Sequence, residues 1–203
     1  MGEHMGESEQ RGAEERIVLP KGGSAALACQ AGLVTVSAVD DGSIRVDFGS
    51  PECSVMLRIT EAIELHDGDL IAAGQTWMSF EAGHDRRPAR LHLLDEVGAI
   101  HMTLTLRGTS LTLGRTSGDV VLPRDEALSE LHLQLLMRGD SVFLQDLASS
   151  NGTWTVVRPG EVLPSSSTLA IGERLVRVST PPPVGSEPAV ADRGWRTSVH
   201  VAA

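Results

Sequence analysis

The sequence predicts an all-β protein, an antiparallel sandwich preceded by a second and smaller β domain. Three observations carry that expectation. Short runs alternate apolar with polar residues, turn residues separate those runs at close spacing, and no segment shows a capped amphipathic helix.

Taken in order, residues 1–15 are rich in Gly, Glu and Ser and are expected to be a disordered N-terminus. Residues 16–82 carry strand-like runs at Leu33 to Val39, Ser43 to Phe48, Met56 to Ile59, Asp69 to Gly74 and Trp77 to Phe80. Residues 83–89, with Gly83-His84-Asp85-Arg86-Arg87-Pro88, break every periodicity and read as a linker. Residues 90–180 hold the clearest pattern. Ile100, Met102, Leu104 and Leu106 alternate with His101, Thr103, Thr105 and Arg107, the period of a half-buried strand. Further runs follow at Leu111 and Leu113, Leu131 to Leu135, Val142 and Leu144, Leu169 and Ile171, and Leu175 to Val178. Gly118-Asp119, Gly139-Asp140, Asn151-Gly152, Pro159-Gly160 and Gly172 supply the turns between them. Residues 181–203 open on three prolines and are expected to form a disordered tail in which Trp195 is a transient anchor.

The first β region reads as a worn copy of the second. Ser43 to Ser50 can be laid on Ser141 to Ser149 with one gap. Asp69 to Gly74 then falls near Thr168 to Gly172, and Val18-Leu19-Pro20 echoes Val121-Leu122-Pro123. On this alignment Glu52-Cys53-Ser54 stands where Asn151-Gly152-Thr153 stands in the second region.

Bulk properties exclude several function classes. A formal net charge of -10 over 203 residues argues against a nucleic-acid partner and against an acidic membrane surface, both of which need basic patches. Two cysteines, Cys29 and Cys53, are too few for a disulfide scaffold and match no zinc spacing. They read as small core residues with free thiols. The polar N-terminus does not resemble a signal peptide and no apolar run is long enough to span a bilayer, so a cytoplasmic location is expected. The histidines show no metal-ligand spacing, and His66-Asp67-Gly68-Asp69 reads as a turn. No metal and no cofactor is expected.

Four pieces stand in order in the second region: Gly114-Arg115, Ser129-Glu130-Leu131-His132, Asp146-Leu147-Ala148-Ser149-Ser150-Asn151-Gly152-Thr153, and Leu169-Ala170-Ile171-Gly172. An arginine at a strand end suits a phosphate, because its planar fork donates two parallel hydrogen bonds and stays charged. Ser129 and Ser150 add hydroxyl donors. The amide of Asn151 both donates and accepts, as a peptide backbone requires. Read alone, Arg115 pairs with Asp119 or Asp125 on the surface. Ser129, His132 and Asp146 invite a hydrolase reading, but there is no Gly-x-Ser-x-Gly turn and no motif requires an enzyme.

The ordered set resembles the forkhead-associated (FHA) domain, over about Arg90 to Thr180. That resemblance implies an FHA-type antiparallel β-sandwich without catalysis, similar to bacterial adaptors that work beside Ser/Thr kinases. It implies that Arg115, Ser129 and Ser150 surround a phosphothreonine and that Asn151 holds the peptide backbone. Gly114, His132 and Gly152 match positions that shape the loops. One departure stands out. The family commonly has Arg, Lys or Asn where this chain has Glu130, and Asp125 and Glu126 add negative charge to the same loop. Ala127 occupies the position that the family uses to read the third residue after the phosphothreonine, so no charge preference is indicated there.

The expected partner is a threonine-phosphorylated protein, with the chain's own tail (Thr180 or Thr197) as one candidate. The alternative function is a phosphate-independent scaffold or assembly protein. The first region, having lost every phosphate-binding group, is then a packing or dimerisation element, and a homo-oligomer is a candidate state.

Overall fold

The computed structural model describes residues 14–84 and 87–181. The expectations for the N-terminal residues up to Ala13 and for the tail from Pro182, with Trp195 and Thr197, lie outside the described residues. Among those described, every element is a strand, as predicted. The first region contributes β1 (Glu15–Val18), β2 (Ser24–Cys29), β3 (Gly32–Ala38), β4 (Ile44–Phe48), β5 (Val55–Arg58), β6 (Ile63–Glu64), β7 (Leu70–Ala73) and β8 (Thr76–Glu81). The second begins with β9 (Arg90–Leu94), β10 (Ile100–Thr105), β11 (Ser110–Gly114), β12 (Val120–Val121), β13 (Leu133–Arg138) and β14 (Ser141–Asp146). It ends with β15 (Thr153–Val156), β16 (Glu161–Leu163), β17 (Ser166–Ile171) and β18 (Arg174–Ser179).

The alternation in sequence becomes alternation in burial. Val34 and Val36 in β3, Ile44 and Val46 in β4, Leu133 and Leu135 in β13, and Leu169 and Ile171 in β17 are all buried, while their neighbours turn outward. Each such side chain contributes about 1.5–3 kcal/mol of burial energy. They form one continuous core drawn from both regions. β10 is the exception. Ile100 is 57% exposed and Met102 41% exposed, because the strand lies at a sheet edge, with a register shift between them.

Strand partnering departs from chain order. A nine-stranded sheet runs β1-β18-β17-β5-β15-β7-β8-β9-β10, and two smaller sheets run β12-β11-β13-β14-β6 and β16-β4-β3-β2. The large sheet is nearly symmetric about the antiparallel contact between β5 and β15, where Leu57 faces Thr155. Moving outward, β17 and β18 flank β5 as β7 and β8 flank β15. The three-strand unit β6–β8 therefore completes the sandwich begun by β9–β15, and β16–β18 completes the one begun by β1–β5. The two halves of the chain have exchanged their closing strands.

Residues 83–89 are accordingly not a linker between separate sheets. Glu81 pairs with Arg90 across them in one antiparallel ladder. The break in periodicity marks a connection, and the pairing on either side is set by tertiary packing.

The registers test the suspected repeat directly. Val46 faces Glu161 as Leu144 faces Ile63, and Ile171 faces Val55 as Ala73 faces Thr153. One constant offset therefore relates β4 to β14, β5 to β15 and β7 to β17, in agreement with two of the three echoes. The third does not follow. Val18 pairs with Ser179 in the large sheet, whereas Val121 pairs with Gly114 in a small one. The same offset makes Cys53, rather than Glu52, the counterpart of Asn151.

The thiols are not free. Cys29 and Cys53 form a disulfide with Cα atoms 6.1 Å apart, spanning 24 residues. The turn after β4 brings Cys53 back beside the end of β2, within bridging distance. Thr180 is tied down as well: its N–H donates to Ser165 O at 2.9 Å and its hydroxyl bonds to Gly42 O. It extends the end of β18 and is not part of a loose tail.

Candidate functional site

Three of the four motif pieces meet at one end of the second sandwich, on the loops after β11, before β13 and between β14 and β15, whereas Leu169-Ala170-Ile171-Gly172 ends β17, which closes the first sandwich. Backbone contacts set the frame. Arg115 N–H donates to Ser129 O at 2.9 Å, and Ser117 N–H donates to Glu130 O at 2.9 Å. A Cβ on Gly114 would lie 2.1 Å from Glu130 O and 2.7 Å from Leu131 Cα, so only glycine allows these two loops to touch.

His132 is fully buried between the loops. Its Nδ1 accepts from Ser129 N–H at 3.0 Å, which leaves the proton on Nε2 to be donated to Gly152 O at 3.2 Å. One imidazole thus fixes the spacing of the Ser129 and Gly152 segments. Its ring nitrogens are used by backbone groups, and Asp146 bonds to Ser149 and Thr153, so no Ser-His-Asp relay forms.

The turn after β14 is held by that carboxylate. Ser149 Oγ donates to Asp146 Oδ1 at 2.6 Å, Thr153 Oγ1 to the same oxygen at 2.7 Å, and Ser149 N–H to Oδ2 at 3.0 Å. Partial burial pushes the Asp146 carboxyl up. The donated hydroxyls of Ser149 and Thr153, then the Ser149 amide, outweigh it and hold the acid below its ordinary value. Within this turn Ala148 takes a φ of 57°, the left-handed region that is costly for a side chain and is sustained here by the surrounding bonds. Gly152 N–H donates to Ser149 Oγ at 3.0 Å.

Two predicted ligand residues are brought into direct side-chain contact. Ser150 N–H donates to Ser129 Oγ at 2.9 Å, and the two hydroxyls lie 3.5 Å apart. Asn151 donates from Nδ2 to Ala127 O at 2.8 Å and is otherwise exposed. Arg115 is half-buried, and its Nε is buried with no hydrogen-bond partner. Neither suspected surface partner of Arg115 is available. Asp119 accepts the Thr112 amide and hydroxyl, each at 2.8 Å. Those two bonds hold its carboxyl below the ordinary value.

Asp125 is also turned away. It is buried and accepts Gln75 N–H at 2.8 Å and Thr76 Oγ1 at 2.7 Å, in the turn between β7 and β8. The acidity expected of this loop is therefore reduced to Glu126 and Glu130, both exposed. Asp125 has a structural part that its sequence does not reveal, as it fastens the loop before β13 to the exchanged strands.

Arg58 was missed altogether. It stands opposite Trp154 in the β5–β15 ladder, and its guanidinium lies 5.8 Å from the centre of the Trp154 ring. A Cβ on Gly152 would meet its Nε at 2.7 Å. Trp154 Nε1 in turn donates to Asn151 O at 3.1 Å. Only the exchanged pairing places Arg58 here, so no local signal in the sequence could have found it.

Among the described residues no group of acidic, histidine or cysteine side chains is arranged to hold a metal, and no helix is long and apolar enough to cross a membrane.

The FHA domain family model matches residues 111–175. The chain is 30% identical over 112 residues to the FHA domain-containing protein FhaB of Mycobacterium tuberculosis, in strain H37Rv and in strain CDC 1551. The aligned part covers 55% of this chain and 64% of the relative, so the chain spans less than two thirds of the proteins it matches. No solved structure matches significantly. With the motif loops assembled on an all-β sandwich, residues 111–175 resemble an FHA domain, and the sheets that carry those loops are closed by strands from earlier in the same chain.

Proposed function

We propose that this protein is a phosphothreonine-binding adaptor in Ser/Thr kinase signalling, acting in the cytoplasm. The observation that carries the reading is Arg115 Nε, a buried donor with no partner, on a loop bonded to the Ser129 segment. An unmatched buried donor costs about 1–3 kcal/mol, and a phosphate oxygen would satisfy it. Ser129 and Ser150 add hydroxyls, and Asn151 meets the peptide backbone. The partner is a threonine-phosphorylated protein. Residues 16–82 are a degenerate FHA-like repeat whose β6–β8 strands complete the second sandwich.

Titration of a degenerate phosphothreonine peptide library against the wild type and Arg115→Ala tests this reading. Loss of one charge-assisted phosphate contact worth about 2–3 kcal/mol predicts binding roughly 30- to 150-fold weaker in the variant. Equal binding of the dephosphorylated library, or an unchanged affinity in the variant, would overturn it.

A phosphate-independent scaffold is the second reading, favoured by the exposed Glu130 at the position where Arg, Lys or Asn is common in the family. It predicts that a partner is retained equally before and after phosphatase treatment.

A further inference from the structure

We propose that Arg58, from the opposite half of the chain, is a specificity-determining residue of the phosphopeptide site, selecting an Asp or Glu side chain close to the phosphorylated residue. This rests on the phosphopeptide reading above and deepens it. The guanidinium lies against Gly152, directly after Asn151, the residue assigned to the peptide backbone. Trp154 bridges the two, stacking with Arg58 and donating to Asn151 O. A peptide held by Asn151 therefore runs past Arg58.

Arg58 is also uncommitted. Three other arginines of the described residues are held in ion pairs: Arg90 with Glu81, Arg158 with Asp69, and Arg174 with Glu15. No carboxylate lies within ion-pair distance of Arg58, and its guanidinium makes no hydrogen bond among the described residues. It is half-buried, with its guanidinium edge against Gly152. Stacking on Trp154 limits the conformations it must give up to grip a carboxylate. A carboxylate accepts two parallel hydrogen bonds from such a fork, whereas a lysine on the peptide would be repelled. Sequence reading found no charge preference at Ala127. Arg58 supplies one from outside the span matched by the family model.

The test uses the full chain and a set of phosphothreonine peptides in which each flanking position in turn is Glu, Ala or Lys. Dissociation constants are measured for the wild type, Arg58→Met and Arg58→Glu. Arg58→Met retains the packed stem, and thermal melting checks its fold. At one flanking position the wild type should prefer Glu over Ala by about fivefold, as expected of a partly exposed charge pair. The ratio should fall to about one in Arg58→Met and invert towards Lys in Arg58→Glu. A Glu preference that persists in both variants overturns the proposal, as does a flat wild-type profile with phosphate dependence intact. Failure of every phosphopeptide to bind the wild type would instead overturn the function on which it rests.

Discussion

The two loop ends related by the repeat use the same strand frame for opposite purposes. At the end of the second sandwich, Arg115 follows β11 and Asn151 follows the turn after β14, and both keep side-chain groups free. The registers put Leu27 opposite Val34 as Leu113 is opposite Leu133, which makes Cys29 the counterpart of Arg115. Cys53 is the counterpart of Asn151. The first sandwich thus has a covalent bond where the second has its two principal candidate ligand groups. Phe48 likewise stands where Asp146 clamps the second turn, and exposed Ala28 stands where Gly114 allows the loops to touch. Polar donors left open for a ligand make a loop end responsive. Joining the same positions covalently makes it rigid and chemically silent. Duplication of a binding module therefore need not duplicate binding, since one copy can be converted into a support for the other.

The largest effect expected from breaking this division is thermodynamic. Replacing Cys29 and Cys53 together with alanine should lower the stability of the fold by about 3 kcal/mol in a denaturant titration, with phosphopeptide affinity kept within twofold. A tenfold loss of affinity would show that the sealed end and the open end are coupled. Next in size is the clamp at Asp146. Its carboxyl is held below the ordinary value in the folded state, so its contribution is present above the unfolded value and is lost as pH falls through the depressed folded value. Asp146→Asn should cost about 2 kcal/mol at neutral pH and remove that part of the acid sensitivity. An unchanged acid profile would reassign it to another group. The smallest effect is at Glu130, where Glu130→Lys should tighten phosphopeptide binding about fivefold, by exchanging repulsion for attraction at an exposed site. No change would mean that this side chain faces away from the phosphate.

Much of this was legible in sequence, for a definite reason. Alternation at Leu133 and Leu135 or Leu169 and Ile171 reports which face of a strand is buried, and that is a local property. The ordered motifs disclosed the loop residues because glycine contacts and buried histidine bonds demand particular residue types at particular positions. Partner choice between strands is not local. The run from Met56 to Ile59 announces a strand, but nothing in it says that Arg58 will face Trp154. Gly83 to Pro88 announces a break, but not that Glu81 will pair with Arg90 on its far side. The disulfide was misread for the same reason, since two cysteines carry no signal of their distance in space. Asp125 looked like a repulsive surface charge because its partners, Gln75 and Thr76, lie in another part of the chain.

The exchange of closing strands also constrains how the molecule is made. β1 cannot find its partner until β18 has been synthesised, and the ion pair between Glu15 and Arg174 joins residues 159 positions apart. The early half leaves the ribosome with the edge of β5 exposed and must wait for β15 and β17, while the late half can close as soon as β15 emerges, because β6–β8 already precede it. Non-local pairing of this kind slows folding and prolongs the lifetime of sticky edges. The order of synthesis therefore favours assembly of the sandwich that bears the motif loops first, with its disulfide-sealed counterpart closed last.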